Sequence, residues 1–134
     1  MRPRDTTYRL VCDADQEASA RAFLAERMEV PATIEFPVIV AERHGRIIGV
    51  LATRTDQGAI VAGPLAVEGR SPFTAMRLIE AYDRVMQSSL VTRYHFHVAK
   101  GNDKWRTVVE RFGVTPFHED EQGTWYRRDL PHAA

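Results

Sequence analysis

The order of elements read along the chain predicts an α/β (α+β) fold built around one mixed sheet. Three observations carry that reading. Segments rich in β-branched and apolar residues alternate with segments whose apolar residues recur every three or four positions. The resulting order is strand, helix, three strands, helix, strand, helix and two closing strands. A strand–helix–strand unit follows the three-strand meander, which places a parallel pair inside an otherwise antiparallel sheet. With 134 residues, the chain is expected to form one domain over 1–134, large enough to bury a core without disulfides or metal.

Tyr8 to Cys12 reads as the first strand. Asp13 or Asp15 then caps a helix from about Gln16 to Met28, whose Ala20, Phe23, Leu24 and Met28 share one face. Val30-Pro31 ends it, because the residue before proline is pushed out of helical geometry. Phe36 to Arg43 and Arg46 to Arg54 form a hairpin around His44-Gly45. Asp56-Gln57-Gly58 turns the chain into a third strand, Ala59 to Val67. Pro64 within it cannot donate to a ladder, so Gly63-Pro64 marks a bulge or a point where the strand leaves its neighbour.

Ser71-Pro72 starts a helix running to about Ser88: a capping hydroxyl, then proline at the first helical position. Thr92 to Val98 is the next strand. Asn102 or Asp103 caps a helix from Lys104 to Phe112, which Gly113 closes. Val114 to Phe117 and Thr124 to Arg128 are the final strands. The acidic segment from His118 to Gly123 reads as a solvated turn between them.

Composition narrows the classes of function. Lys and Arg together number 18, as do Asp and Glu. A neutral chain lacks the basic excess that broad binding to nucleic acid or an anionic membrane requires. Cys12 is the only cysteine, and no Cys/His spacing resembles a zinc site, so no metal is expected. No signal peptide and no spanning apolar run is visible, which makes a cytoplasmic location the expectation.

Three segments, Gly63 to Val67, Arg70 to Ala75 and Asn102 to Val114, together with the element order, resemble the GNAT superfamily of N-acetyltransferases across essentially the whole chain. The resemblance implies a mostly antiparallel central sheet with helices on both faces. It also implies acetyl-CoA as acyl donor and an amine, on a small molecule or a protein, as acceptor. In that family the strand matching Ala59 to Val67 bulges and splays from its parallel neighbour, and pantetheine pairs with strand backbone in the gap. Leu65, Ala66 and Val67 would do this here. The family pattern Q/R-x-x-G-x-G/A matches Arg70-Ser71-Pro72-Phe73-Thr74-Ala75. Arg70 and Ala75 keep the frame, and Phe73 replaces the central glycine. Amides at a helix start, aided by the helix dipole, bind a pyrophosphate, so Arg70, Ser71, Phe73, Thr74 and Ala75 are cofactor candidates. Pro72 offers no N–H. Asn102 and Gly113 fall at family spacing and add Asn102 to that set. Val109 stands where many members carry the tyrosine that protonates the departing thiolate.

Amine acylation needs a base poised near neutral pH. His97, and less so His95, share a face of the strand that would wall the gap, and Glu68 just past the third strand is a second candidate base. Tyr82, Tyr94 and Tyr126 are possible acids by residue type, though tyrosines on amphipathic elements usually lie at the core edge. The departures at Phe73 and Val109 motivate a rival reading: a catalytically inactive GNAT-fold binding or structural module, such as a component of a larger, phage-encoded assembly. Oligomeric state is open, a homodimer included.

Overall fold

The structure is a computed structural model that describes residues 5–29 and 34–131. In chain order its elements are β1 (Thr6–Leu10), α1 (Ala14–Ala25), β2 (Glu35–Arg43), β3 (Arg46–Asp56), β4 (Ala59–Val67), α2 (Pro72–Ser88), β5 (Arg93–Ala99), α3 (Asp103–Glu110), β6 (Thr115–Asp120) and β7 (Gly123–Asp129). The strands form one sheet in the order β1-β2-β3-β4-β5-β7-β6. Every neighbouring pair is antiparallel except β4 and β5. The mixed, mostly antiparallel sheet anticipated from the sequence is therefore present.

Helices cover both faces. On one, α1 packs Ala20, Phe23 and Leu24 onto Val38, Val40, Val50 and Ala52. On the other, α2 packs Ala75, Leu78, Ile79, Tyr82 and Met86, with α3 adding Val108 and Val109, onto Ile39, Leu51, Tyr94, Phe96 and Val98. Strands β2 to β4 are sandwiched between the two layers, which is why they read as unbroken apolar runs. No helix among the described residues is long and apolar enough to cross a membrane.

Local chemistry fixes the turns. His44-Gly45 and Gln57-Gly58 both hold left-handed backbone at two successive positions, the geometry of a tight hairpin turn, and glycine takes the second place in each. Ser71 Oγ accepts the Thr74 N–H at 3.3 Å, and Asp13 Oδ1 accepts the Gln16 N–H at 2.8 Å, so each begins its helix as a cap. Of the two candidate caps for α1, Asp13 is the one used.

Some boundaries differ from the sequence reading. Strand β1 begins two residues earlier, and α1 stops at Ala25, short of Met28. The expected stop at Val30-Pro31 lies outside the described residues. Helix α3 ends at Glu110, because Arg111 and Phe112 donate to Val108 and Val109 carbonyls in a tightened last turn. The acidic segment is not a long turn. Strand β6 continues through Asp120, and Glu121-Gln122 alone reverse the chain. All six β6 residues are exposed at the sheet edge, where charged side chains are tolerated and guard the unpaired backbone.

Candidate active site

Strand β4 is pinned to β3 on either side of a bulge. Ala62 pairs with Thr53 and Leu65 with Leu51, so Gly63 and Pro64 together oppose Ala52. Gly63 has φ of 151°, a conformation that favours glycine. On its other edge, β4 pairs with β5 at a single register position, Val61 with His95. Beyond it the two parallel strands part, and a cavity of about 360 Å³ opens between them. Gly63, Pro64 and Leu65 line it from β4; His97, Val98 and Ala99 from β5; Asn102, Trp105 and Val109 from the α3 region.

The structure gathers some of the candidate residues here and sends others elsewhere. Leu65, His97 and Asn102 line the cleft. Ala66 packs into the α1 core, and Val67 into the α2 core opposite Gly49; neither lines the cleft. Arg70, in left-handed backbone, points its Nη2 to Asn102 Oδ1 at 3.4 Å, which links the loop before α2 to the start of α3. Asn102 occupies the cap position of α3, but its side chain makes no capping bond.

At the start of α2, Thr74 and Ala75 are buried, and their N–H groups go to Ser71 Oγ and Ser71 O. Phe73 is 49% exposed. Its ring lies 5.3 Å from the Arg77 guanidinium, one helical turn on, and is not part of the cleft wall. The large side chain that replaces the family glycine therefore leans along its own helix.

His97 is half-buried, its ring 4.7 Å from that of Trp125 on β7. Burial lowers its pKa from the ordinary 6.5; Arg54 lowers it further and Asp120 pulls the other way. His95 packs on Phe117 at 4.6 Å. Burial, then Arg93 and Arg127, lower its pKa as well. Both imidazoles are thereby biased toward the neutral form that can accept a proton.

Glu68 lies apart from this cleft. It follows Val67, which pairs with Gly49, and so meets Arg46 at the start of β3; Arg46 Nη2 lies 3.2 Å from Glu68 Oε1. That pairing holds its carboxyl below the usual range. It borders a different cavity, of about 620 Å³, between α1 and the β2–β3 hairpin.

None of the three tyrosines named above lines the cleft. Tyr82 OH meets Thr53 Oγ1 at 2.7 Å in the core, and burial raises its pKa. Tyr94 OH donates to Asp83, which also receives Arg128 Nη2 at 3.1 Å. Tyr126 is buried among core residues. Two contributors escaped sequence reading: Trp125 against His97, and Arg54, which lines the cleft with its guanidinium 5.7 Å from the Trp125 ring. Trp125 lies on the strand expected over Thr124–Arg128, and the β5–β7 register, which pairs it with His97, brings the two together.

No protein-family model matches the sequence, and no curated protein matches it. Solved structures match over nearly the whole chain. An N-acetyltransferase from Staphylococcus aureus Mu50 is 10% identical with a TM-score of 0.72, covering 93% of this chain and 97% of that one. A ribosomal-protein-alanine N-acetyltransferase from Brucella melitensis is 16% identical with a TM-score of 0.71, covering 92% and 99%. The PaiA N-acetyltransferase from Thermoplasma acidophilum, solved in complex with coenzyme A, is 10% identical with a TM-score of 0.62, covering 87% and 70%. The chain has the fold of the GNAT superfamily, in a divergent sequence.

Proposed function

We propose that this protein is an N-acyltransferase that moves an acetyl group from acetyl-CoA directly to the amine of a small molecule or protein. The observation that carries this reading is the parting of β4 from β5 beyond Val61. It leaves the β4 backbone from Ala62 to Leu65 without a strand partner on the cleft side. That edge suits the amide groups of a pantetheine arm, and a bulge amide suits the oxygen of a thioester as charge builds on it. The Phe73 N–H at the start of α2 and the Arg70 guanidinium, which reaches Asn102 in the cleft wall, suit a pyrophosphate, with Ser71, Thr74 and Ala75 shaping the helix start. The outward lean of Phe73 keeps its ring off the cleft wall.

His97 is the base in this reading. It lines the cleft and is held toward its neutral form. It accepts one ammonium proton, the amine nitrogen bonds to the thioester carbonyl carbon, the C–S bond breaks, and the nitrogen loses its second proton to solvent as the amide forms. With Val109 in the wall, no phenol stands at the family's position for the acid, and the thiolate takes its proton from solvent. Glu68 has no part, because Arg46 holds it as a carboxylate beyond the cleft.

Isothermal calorimetry with acetyl-CoA tests the reading. The native protein is expected to bind saturably. Ala99→Trp, a change at an exposed position of the cleft wall, is expected to weaken binding at least about tenfold while leaving the urea midpoint in place. Absence of heat with the native protein at saturating acetyl-CoA would overturn it and favour a non-catalytic module.

A further inference from the structure

A second cavity, of about 480 Å³, lies beside the cleft. The two share Val61, the β4 residue at which the strands part. Trp125 lines the second cavity while its ring leans on His97 of the first. The register of β6 slips between Pro116 and His118. This bulge brings Phe117, 48% exposed, to 4.6 Å from His95 on the same wall. The cavity is thus walled by Trp125, Phe117 and the His95 ring.

Its carboxylates are Asp56 and Asp120. Arg54 approaches Asp56 loosely, at 3.8 Å. Asp120 uses Oδ1 to hold the Gln122 and Gly123 N–H groups, and its Oδ2 lies 3.4 Å from His118. No Arg or Lys lines this cavity among the described residues. Aromatic faces attract a cation, and two carboxylates nearby add to that attraction.

Resting on the acyltransfer reading above, we propose that this cavity is the acceptor site and selects a primary amine in its ammonium form, carried on an apolar or flat body. The rings hold the body and the carboxylates draw the ammonium in. Trp125, which lines this cavity and touches the His97 ring, marks the end nearest the cleft; on passing it the ammonium leaves the carboxylates, gives a proton to the neutral imidazole and becomes the nucleophile.

Intrinsic fluorescence gives a direct test, because Trp105 and Trp125 are the only tryptophans. In a Trp105→Phe background, Trp125 is titrated with phenethylammonium and with its neutral counterpart 2-phenylethanol. The ammonium is expected to bind saturably and about tenfold more tightly than the alcohol. Asp56→Asn with Asp120→Asn is expected to remove most of that preference; asparagine at 120 keeps an oxygen for the turn amides. Equal binding of the two probes, or an unchanged preference in the double variant, would overturn the proposal. Acetyl-CoA binding, measured on the native protein because Trp105 lines the cleft, separates the two readings. If acetyl-CoA binds and phenethylammonium does not, the acceptor proposal alone falls. If phenethylammonium binds and acetyl-CoA does not, the acyltransfer reading falls and takes the acceptor role with it.

Discussion

Tyr94→Phe separates a structural phenol from a catalytic one. The Tyr94 hydroxyl donates to Asp83, and Arg128 approaches the other carboxylate oxygen through Nη2 at 3.1 Å and Nε at 3.3 Å. The ring itself packs edge-on to Tyr82 and Phe96, with centroids 5.0 Å away in each case. Phenylalanine keeps those contacts and removes only the hydroxyl. A hydrogen bond to a charged group contributes about 1.5–3 kcal/mol. Asp83 keeps Arg128, so the expected loss is about 2 kcal/mol. At a slope of about 2 kcal/mol per molar urea, the midpoint falls by about 1 M. Asp83→Asn should cost at least as much, because Arg128, its side chain 20% exposed, loses its counter-charge. Equilibrium urea unfolding followed by circular dichroism reads both, and the double variant should cost less than the sum. A midpoint shift below about 0.3 M for Tyr94→Phe, about 0.6 kcal/mol at that slope and under the range for a bond to a charged group, would refute the reasoning. Such a result joined to a collapse of acetyl transfer would make Tyr94 the missing acid.

Other outcomes follow from single contacts. A Cβ on Gly123 would sit 2.1 Å from the Val98 carbonyl oxygen, with φ at 153°; Gly123→Ala should cost on the order of 3 kcal/mol or more, read as a lost or strongly lowered thermal transition. A Cβ on Gly49 would meet Leu78 Cδ1 at 3.0 Å and Thr74 Cγ2 at 3.2 Å, so Gly49→Ala should cost about 1–2 kcal/mol and loosen the start of α2, read by urea unfolding and by amide exchange at Thr74 and Ala75. His97 should titrate below 6.5 by NMR. Because its folded pKa is lowered, the unfolded chain protonates first as pH falls; the stability linked to this group is complete above about pH 6.5 and declines below it. Arg54→Gln should raise the His97 pKa while leaving it under 6.5, since burial is the larger cause.

What the sequence disclosed was local. Strand β4 and helix α2 fall where the Gly58 turn and the Ser71-Pro72 start place them, because turn and cap chemistry act within four residues. The bulge at Gly63-Pro64 was legible for the same reason: proline cannot serve a ladder. The site was legible only in part, since it depends on which strands become neighbours. His97 could be put on a wall, but Trp125, 28 residues further along the chain, reaches it across the β5–β7 pairing. Glu68 looked close to the cleft as the residue after β4; the β3–β4 register, with Val67 opposite Gly49, leaves it beside Arg46 at the start of β3 instead. The acidic segment looked like a turn because charge density does not distinguish a loop from an exposed edge strand. Tyr94 could not be separated from a catalytic tyrosine, because its partner Asp83 comes from another element.

The parting of β4 and β5 as a seat for an acyl-CoA is tested most directly by backbone amide NMR during titration with acetyl-CoA. The geometry predicts the largest shifts at Ala62, Gly63 and Leu65 and at His97 to Ala99, with smaller ones at Arg70 and Phe73. Shifts centred on the α1 cavity around Arg46 and Glu68, or none at saturating acetyl-CoA, would contradict it.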